Sequence, residues 1–309
     1  MATLSINANP LVNRFAEPEA LIEAIAREIR VRDVQLVHEF IDPDWPAPLV
    51  RALTRRTRAA LERTGVRVTS GMTGPYGRRN HFGHPEPGAR RASLDWFSTF
   101  ADTLAELGAR AMGSQLAILT YADQDDPARR EAAIDRAIDL WGEVGHHAKP
   151  AGLEFLFWEP MSVARELGHT IEAALALQRR IDAAGLPLPM RMMADIDHGD
   201  TSSADPDDTD PYAWARATAA HSPIVHVKQS SMDKGGHRPF TAEHNGRGRV
   251  QPGPLLAALA EGGADEVELC LELSWREREP ADRSVVAELA ESVAFWAPHA
   301  STGAGELRA

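Results

Sequence analysis

Only one cysteine, Cys270, occurs in the 309 residues, which excludes an internal disulfide and a cysteine-rich structural zinc site. No apolar run approaches the ~20 residues needed to cross a bilayer. The start, Met1-Ala2-Thr3-Leu4-Ser5-Ile6, lacks the basic and then apolar stretch of a secretory leader, so a cytoplasmic address is expected. Positive charge is scarce: 33 Lys and Arg against 45 Asp and Glu leave a net charge of −12. A surface of that sign repels a phosphate backbone, so nucleic acid is not expected as a partner, nor is a membrane. A small anionic substrate held by local basic groups in a cleft remains compatible with it. Missing too is a glycine-rich phosphate loop after the first apolar run, where Asn7-Ala8-Asn9-Pro10-Leu11 stands instead. That absence counts against a doubly wound open sheet.

What is present is a repeated alternation of short apolar runs and longer helix-period segments. Strands are predicted over 4–8, 34–37, 66–71, 115–120, 153–158, 188–194, 224–227 and 267–273. Helices are predicted over 18–28, 46–64, 93–107 with Ser93 as N-cap, 127–149, 163–184, 211–220, 252–261 and 281–297. Eight strand–helix pairs in a chain of this length predict an α/β fold, a (β/α)8 TIM barrel, with one domain over 1–300 and a disordered tail over 301–309. The segments 200–210 and 230–249 read as loops at one barrel mouth. Phe295 and Trp296 on the last helix permit a homodimer.

In such a barrel, side chains at the C-terminal strand ends converge. The last four strands end in Glu159, Asp195, His226 and Glu272. Any one of them alone is most simply a solvated carboxylate or a satisfied histidine. Together, three carboxylates would repel one another without a cation, so the set predicts one divalent metal ion of the Mn2+, Mg2+ or Co2+ kind. Twelve histidines, several beside acids, point the same way.

Glu159-Pro160 after strand five, Asp195-x-x-His198 after strand six, His226-Val-Lys228 after strand seven and Glu272 on strand eight resemble, in order and spacing, the xylose isomerase-like barrel superfamily of sugar isomerases and epimerases. The resemblance implies that the four strand ends are metal ligands and that His198 contacts substrate. More narrowly, Asn9 to Phe15 and Glu159-Pro160-Met161-Ser162 with Arg165-Glu166 resemble the tetrulose-phosphate racemase/epimerase group of erythritol catabolism. The third strand end, Gly71-Met72-Thr73-Gly74-Pro75-Tyr76-Gly77, lacks the histidine found there in many relatives. That departure puts in doubt the extra ligands of the DNA-repair members.

The expected chemistry is isomerisation or epimerisation beside a ketose carbonyl, with Glu159 and Glu272 as the proton-transferring pair. A basic cluster (Arg14, Arg78, Arg79, His81, Lys228, Lys234, His237, Arg238, Arg247, Arg249) points to a phosphate on the sugar. Within and beside it, Arg14, Lys228, Arg247, Glu39 and Glu166 are expected, with His198, to bind substrate. Trp158 and Trp275, next to the proposed ligands, are candidates for the pocket wall. Two other functions use the same barrel: a metal-dependent phosphoesterase or endonuclease, which needs more than one ion, and a sugar-binding protein without catalysis.

Overall fold

The computed structural model describes residues 2–231, 236–275 and 280–308. Eight strands, β1 (Ala2–Asn7), β2 (Asp33–Val37), β3 (Arg67–Met72), β4 (Ala111–Gln115), β5 (Phe155–Glu159), β6 (Met190–Asp195), β7 (Ile224–Val227) and β8 (Val267–Leu271), pair in parallel and in sequence order. β8 pairs back onto β1, with Leu4 beside Leu269 and Ile6 beside Leu271, and the barrel closes. Helices α1 (Pro18–Ala24), α2 (Ala47–Thr64), α3 (Pro87–Glu106), α4 (Pro127–Ala151), α5 (Ile171–Ala183), α6 (Pro211–Thr218), α7 (Pro252–Glu261) and α8 (Val285–Trp296) follow the strands in turn. Helices outside and side chains inside bury every residue of β2, β4, β5, β7 and β8, as expected of a parallel sheet covered on both faces. Each fully buried aliphatic side chain, such as Leu4, Ile6 or Leu269, contributes about 1.5–3 kcal/mol. α2 turns Val50, Thr54, Thr57, Ala60, Leu61 and Thr64 inward at helical spacing and stops at Gly65, whose φ of 80° suits glycine. Among the described residues, no helix is long and apolar enough to cross a membrane.

The expected fold is therefore present, and several boundaries move. The fourth strand occupies 111–115 rather than 115–120. Its central residue is glycine because β5 is close: a Cβ on Gly113 would lie 2.1 Å from the Phe157 carbonyl oxygen. The more conspicuous apolar run Leu116–Leu119 is buried in the loop beyond. Ser93 is not a cap. α3 begins at Pro87, and the Ser93 hydroxyl donates back to the Ala89 carbonyl at 3.0 Å. α5 starts at Ile171, where the Thr170 hydroxyl accepts from Ala173 N, so 163–170 is loop with a 3-10 turn rather than helix. Phe295 and Trp296 each pack on Phe240 within the chain, Trp296 fully buried and Phe295 half-buried. Residues 301–308 of the expected tail lace the closed end of the barrel. Ser301 exchanges hydrogen bonds with Ala2 and Leu4, Glu306 pairs with Arg32, and Arg308 N donates to Thr64 O at 2.8 Å.

Candidate active site

Strand register brings the strand-end residues together. Glu159 closes β5, Asp195 closes β6 directly beside His226 of β7, and Glu272 stands one residue past β8. All are buried, and one donor atom from each of Glu159, Asp195, His226 and Glu272 lies within 4.8 Å of the others. His226 Nδ1 is 3.1 Å from Glu159 Oε1 and 3.4 Å from Glu272 Oε2. Glu272 Oε2 is buried without a well-formed hydrogen bond, although His237 Nε2 stands 3.2 Å away. Three acceptor-only carboxylates and an imidazole, with one carboxylate oxygen left unsatisfied, fit a divalent ion.

The protein partly balances this charge itself. Burial alone would push the His226 imidazole down, but the Glu272 and Glu159 carboxylates outweigh it and hold it well above the usual histidine range. Burial would raise Glu272, and His226 and His237 outweigh that in turn, so Glu272 sits well below its usual range. Lys228 is wholly buried, its ammonium on Asp195 Oδ2, 2.8 Å from His237 Nε2 and 3.8 Å from Glu272 Oε2. Against the desolvation of burial, Asp195 and Glu272 keep it raised and charged. A second donor group, Asp195, His198, His237 and Glu272, overlaps the first. Two of its members, Asp195 and His237, already share the Lys228 ammonium.

Beneath the cluster runs a polar chain that sequence reasoning missed. Asn7, Gln35 and Ser70 lie in register on β1, β2 and β3. Asn7 Nδ2 donates to Gln35 Oε1 at 2.8 Å and Gln35 Nε2 donates to Ser70 Oγ at 3.0 Å, which fixes the orientation of the Gln35 amide. Its oxygen then accepts from His226 Nε2 at 2.8 Å, leaving Nδ1 as the nitrogen that faces the carboxylates. Ligand imidazoles are held in this way through their second nitrogen. Gln35→Leu is expected to weaken divalent-metal affinity about 10- to 100-fold with the fold retained, measured by calorimetric titration alongside circular dichroism. Unchanged affinity would remove Gln35 from this role. The available signal was a polar residue inside an otherwise apolar buried strand.

A cavity of about 400 Å³ opens over the cluster. Glu159, Glu272, His198, Arg14 and Trp275 line it as anticipated, joined by Arg78 and His237 of the basic cluster. His198 Nδ1 is 3.3 Å from the Pro160 carbonyl oxygen. Burial, with Lys228 adding to it, lowers this imidazole to about 3, so it is neutral and its Nε2 is an acceptor. Other expectations place differently. Lys228 sits inside the ligand cluster rather than in the cavity wall, because Asp195 draws its ammonium down. Glu39 lies under the β3 loop, where it accepts from Tyr76 N at 3.1 Å, and a Cβ on Gly74 would come within 2.1 Å of its carboxylate. Glu166 is buried beneath Arg78 and Arg165. Arg247 is exposed and off the cavity. Arg249 is taken by Asp197, and burial lowers His81 to about 3, leaving it uncharged. Lys234 lies outside the described residues. Trp158 is fully buried, its indole donating to Gln178 at 2.8 Å, so it packs rather than walls the pocket.

Comparison with known proteins gives a consistent result. The chain is 63% identical over 306 residues to D-erythrulose 1-phosphate 3-epimerase of Brucella abortus, covering 99% of both chains. It superposes on a provisionally assigned xylose isomerase from Rhodospirillum rubrum with a TM-score of 0.86, at 24% identity, covering 97% of this chain and 100% of that one. It also superposes on D-psicose 3-epimerase from Clostridium cellulolyticum with a TM-score of 0.65, at 16% identity, covering 95% and 99%. The family model described as "Xylose isomerase-like TIM barrel" matches residues 24–297. The chain therefore belongs to the xylose isomerase-like TIM barrel family.

Proposed function

We propose that this chain is a divalent-metal-dependent 3-epimerase of a ketotetrose 1-phosphate. The observation that carries the reading is the set of four convergent donors, Glu159, Asp195, His226 and Glu272, at the floor of a sugar-sized cavity. The epimerase at 63% identity over 99% of the chain supports the substrate. In a ketotetrose 1-phosphate, carbon 3 is the sole stereocentre, so inversion there interconverts mirror images; epimerase and racemase describe one reaction.

Glu159, Asp195, His226 and Glu272 would hold a divalent ion, which when bound would supply the positive charge that makes the hydrogen on carbon 3, beside the ketone, removable near neutral pH. The oxygen-rich donor set suits Mn2+, Mg2+ or Co2+. Glu159 and Glu272 approach from strands separated by β6 and β7 and flank His226 Nδ1. One carboxylate takes the proton from one face of carbon 3, and the other returns a proton to the opposite face. His198, neutral and anchored on Pro160, offers Nε2 to a substrate hydroxyl. Gln35 and Asn7 keep His226 aligned beneath.

Two-metal phosphoester hydrolysis is the weaker reading, because the Lys228 ammonium sits where a second ion would need Asp195 and His237. The test is proton NMR of metal-loaded protein with a ketotetrose 1-phosphate in deuterated water. Deuterium is expected at carbon 3 together with both mirror images of the substrate. A carbon 3 hydrogen that does not exchange would end the reading.

A further inference from the structure

We propose that Arg14 and Arg78 form the end of the active-site cavity that holds the substrate phosphate. This rests on the reading of the substrate as a phosphorylated ketose. A dianion cannot share space with Glu159, Asp195 and Glu272, so it must lie toward a wall that carries positive charge. Among the described residues lining the cavity, the lysine and arginine side chains are Arg14 and Arg78. Arg14 comes from the loop after β1 and Arg78 from the loop after β3, whereas the metal-ligating residues come from β5 to β8.

Both guanidinium groups are held in place. Arg14 is largely buried; its Nη1 donates to the Pro10 carbonyl at 2.9 Å and its Nη2 pairs with Asp282. Its Nε is buried and, among the described residues, has no hydrogen-bond partner. Arg78 rests through Nε, at 3.0 Å, and Nη2 on one oxygen of Glu166. The other Glu166 oxygen takes Arg165 at 3.1 Å. One carboxylate thus answers two guanidinium groups, and a positive charge remains at the cavity wall. Glu166, buried beneath the pair, is a positioning residue for Arg78. Arginine forks of this kind match phosphate geometry better than lysine does.

The experiment compares a ketotetrose 1-phosphate with the same ketotetrose lacking phosphate, on wild-type protein and on Arg14→Gln and Arg78→Gln. The KM for the phosphorylated substrate is expected to rise about 10- to 100-fold in each variant. The kcat/KM for the unphosphorylated sugar is expected to fall much less than that for the phosphorylated one, with circular dichroism reporting an intact fold. Inorganic phosphate is expected to inhibit wild-type competitively and both variants weakly. If a glutamine variant does not fold, Arg14→Lys or Arg78→Lys, which keeps charge but loses the fork, is expected to give an intermediate rise in KM. Equal losses on both substrates, or no loss on the phosphorylated one, would overturn the assignment. A wild-type preference for the phosphorylated sugar that survives in the variants would overturn the arginine assignment alone. A wild-type with no such preference would instead overturn the substrate reading on which it rests.

Discussion

Glu159→Gln and Glu272→Gln are each expected to lower turnover of the metal-saturated enzyme by about 10³-fold or more. General acid–base catalysis by one positioned group contributes about 10²–10⁴-fold, and each of these residues also supplies a donor to the ion. Metal content must therefore be measured beside kcat, with enough ion present to fill the weakened site. The two-base scheme makes a sharper forecast than lost activity. Removing one carboxylate abolishes interconversion but leaves the other able to pull the proton from its own face. Each variant is then expected to exchange the carbon 3 hydrogen of one mirror image with solvent faster than that of the other, and the preference is expected to reverse between the two variants. Near-normal turnover in both would show that these carboxylates move no proton.

Lys228→Met is expected to destabilise the metal-free protein by about 3–5 kcal/mol, the usual consequence of removing one partner from a buried ion pair. Lys228 and Asp195 have side chains 1% and 0% exposed, so solvent screening does little to soften the loss. Methionine fills much of the aliphatic volume, which makes the missing ammonium the main change. Urea unfolding with and without saturating divalent metal gives the comparison. The deficit is expected to shrink with the ion present, since another positive charge then faces the same carboxylates. A variant as stable as wild-type without metal would mean that Asp195 is balanced from elsewhere.

Much of this was legible in the residues alone, and the failures have physical causes. Strand ends announced themselves where an apolar run met a carboxylate or histidine, as at Trp158-Glu159 or Ala194-Asp195, because a buried parallel strand has no polar face to blur its pattern. β4 was misplaced because Gly113 must be small to let Phe157 approach, so the true strand is less apolar than the loop after it. Gln35 and Asn7 went unnoticed because a lone amide in a strand carries no motif; its role appears only when barrel closure sets it beneath His226. Glu166 and Glu39 were expected to bind substrate, yet the structure shows Glu166 engaged by Arg78 and Arg165, and Glu39 by Tyr76 N. Neither sequence spacing nor composition reveals whether an arginine or a backbone N–H has already claimed a carboxylate.

A chelator should therefore strip this enzyme without dismantling it. With Lys228 and a protonated His226 standing among the acids, the emptied pocket is electrically tolerable rather than explosive. Different divalent ions are then expected to be loadable in turn on a single preparation, each displacing the His226 proton as it binds, so that their influence on rate can be measured apart from any influence on folding.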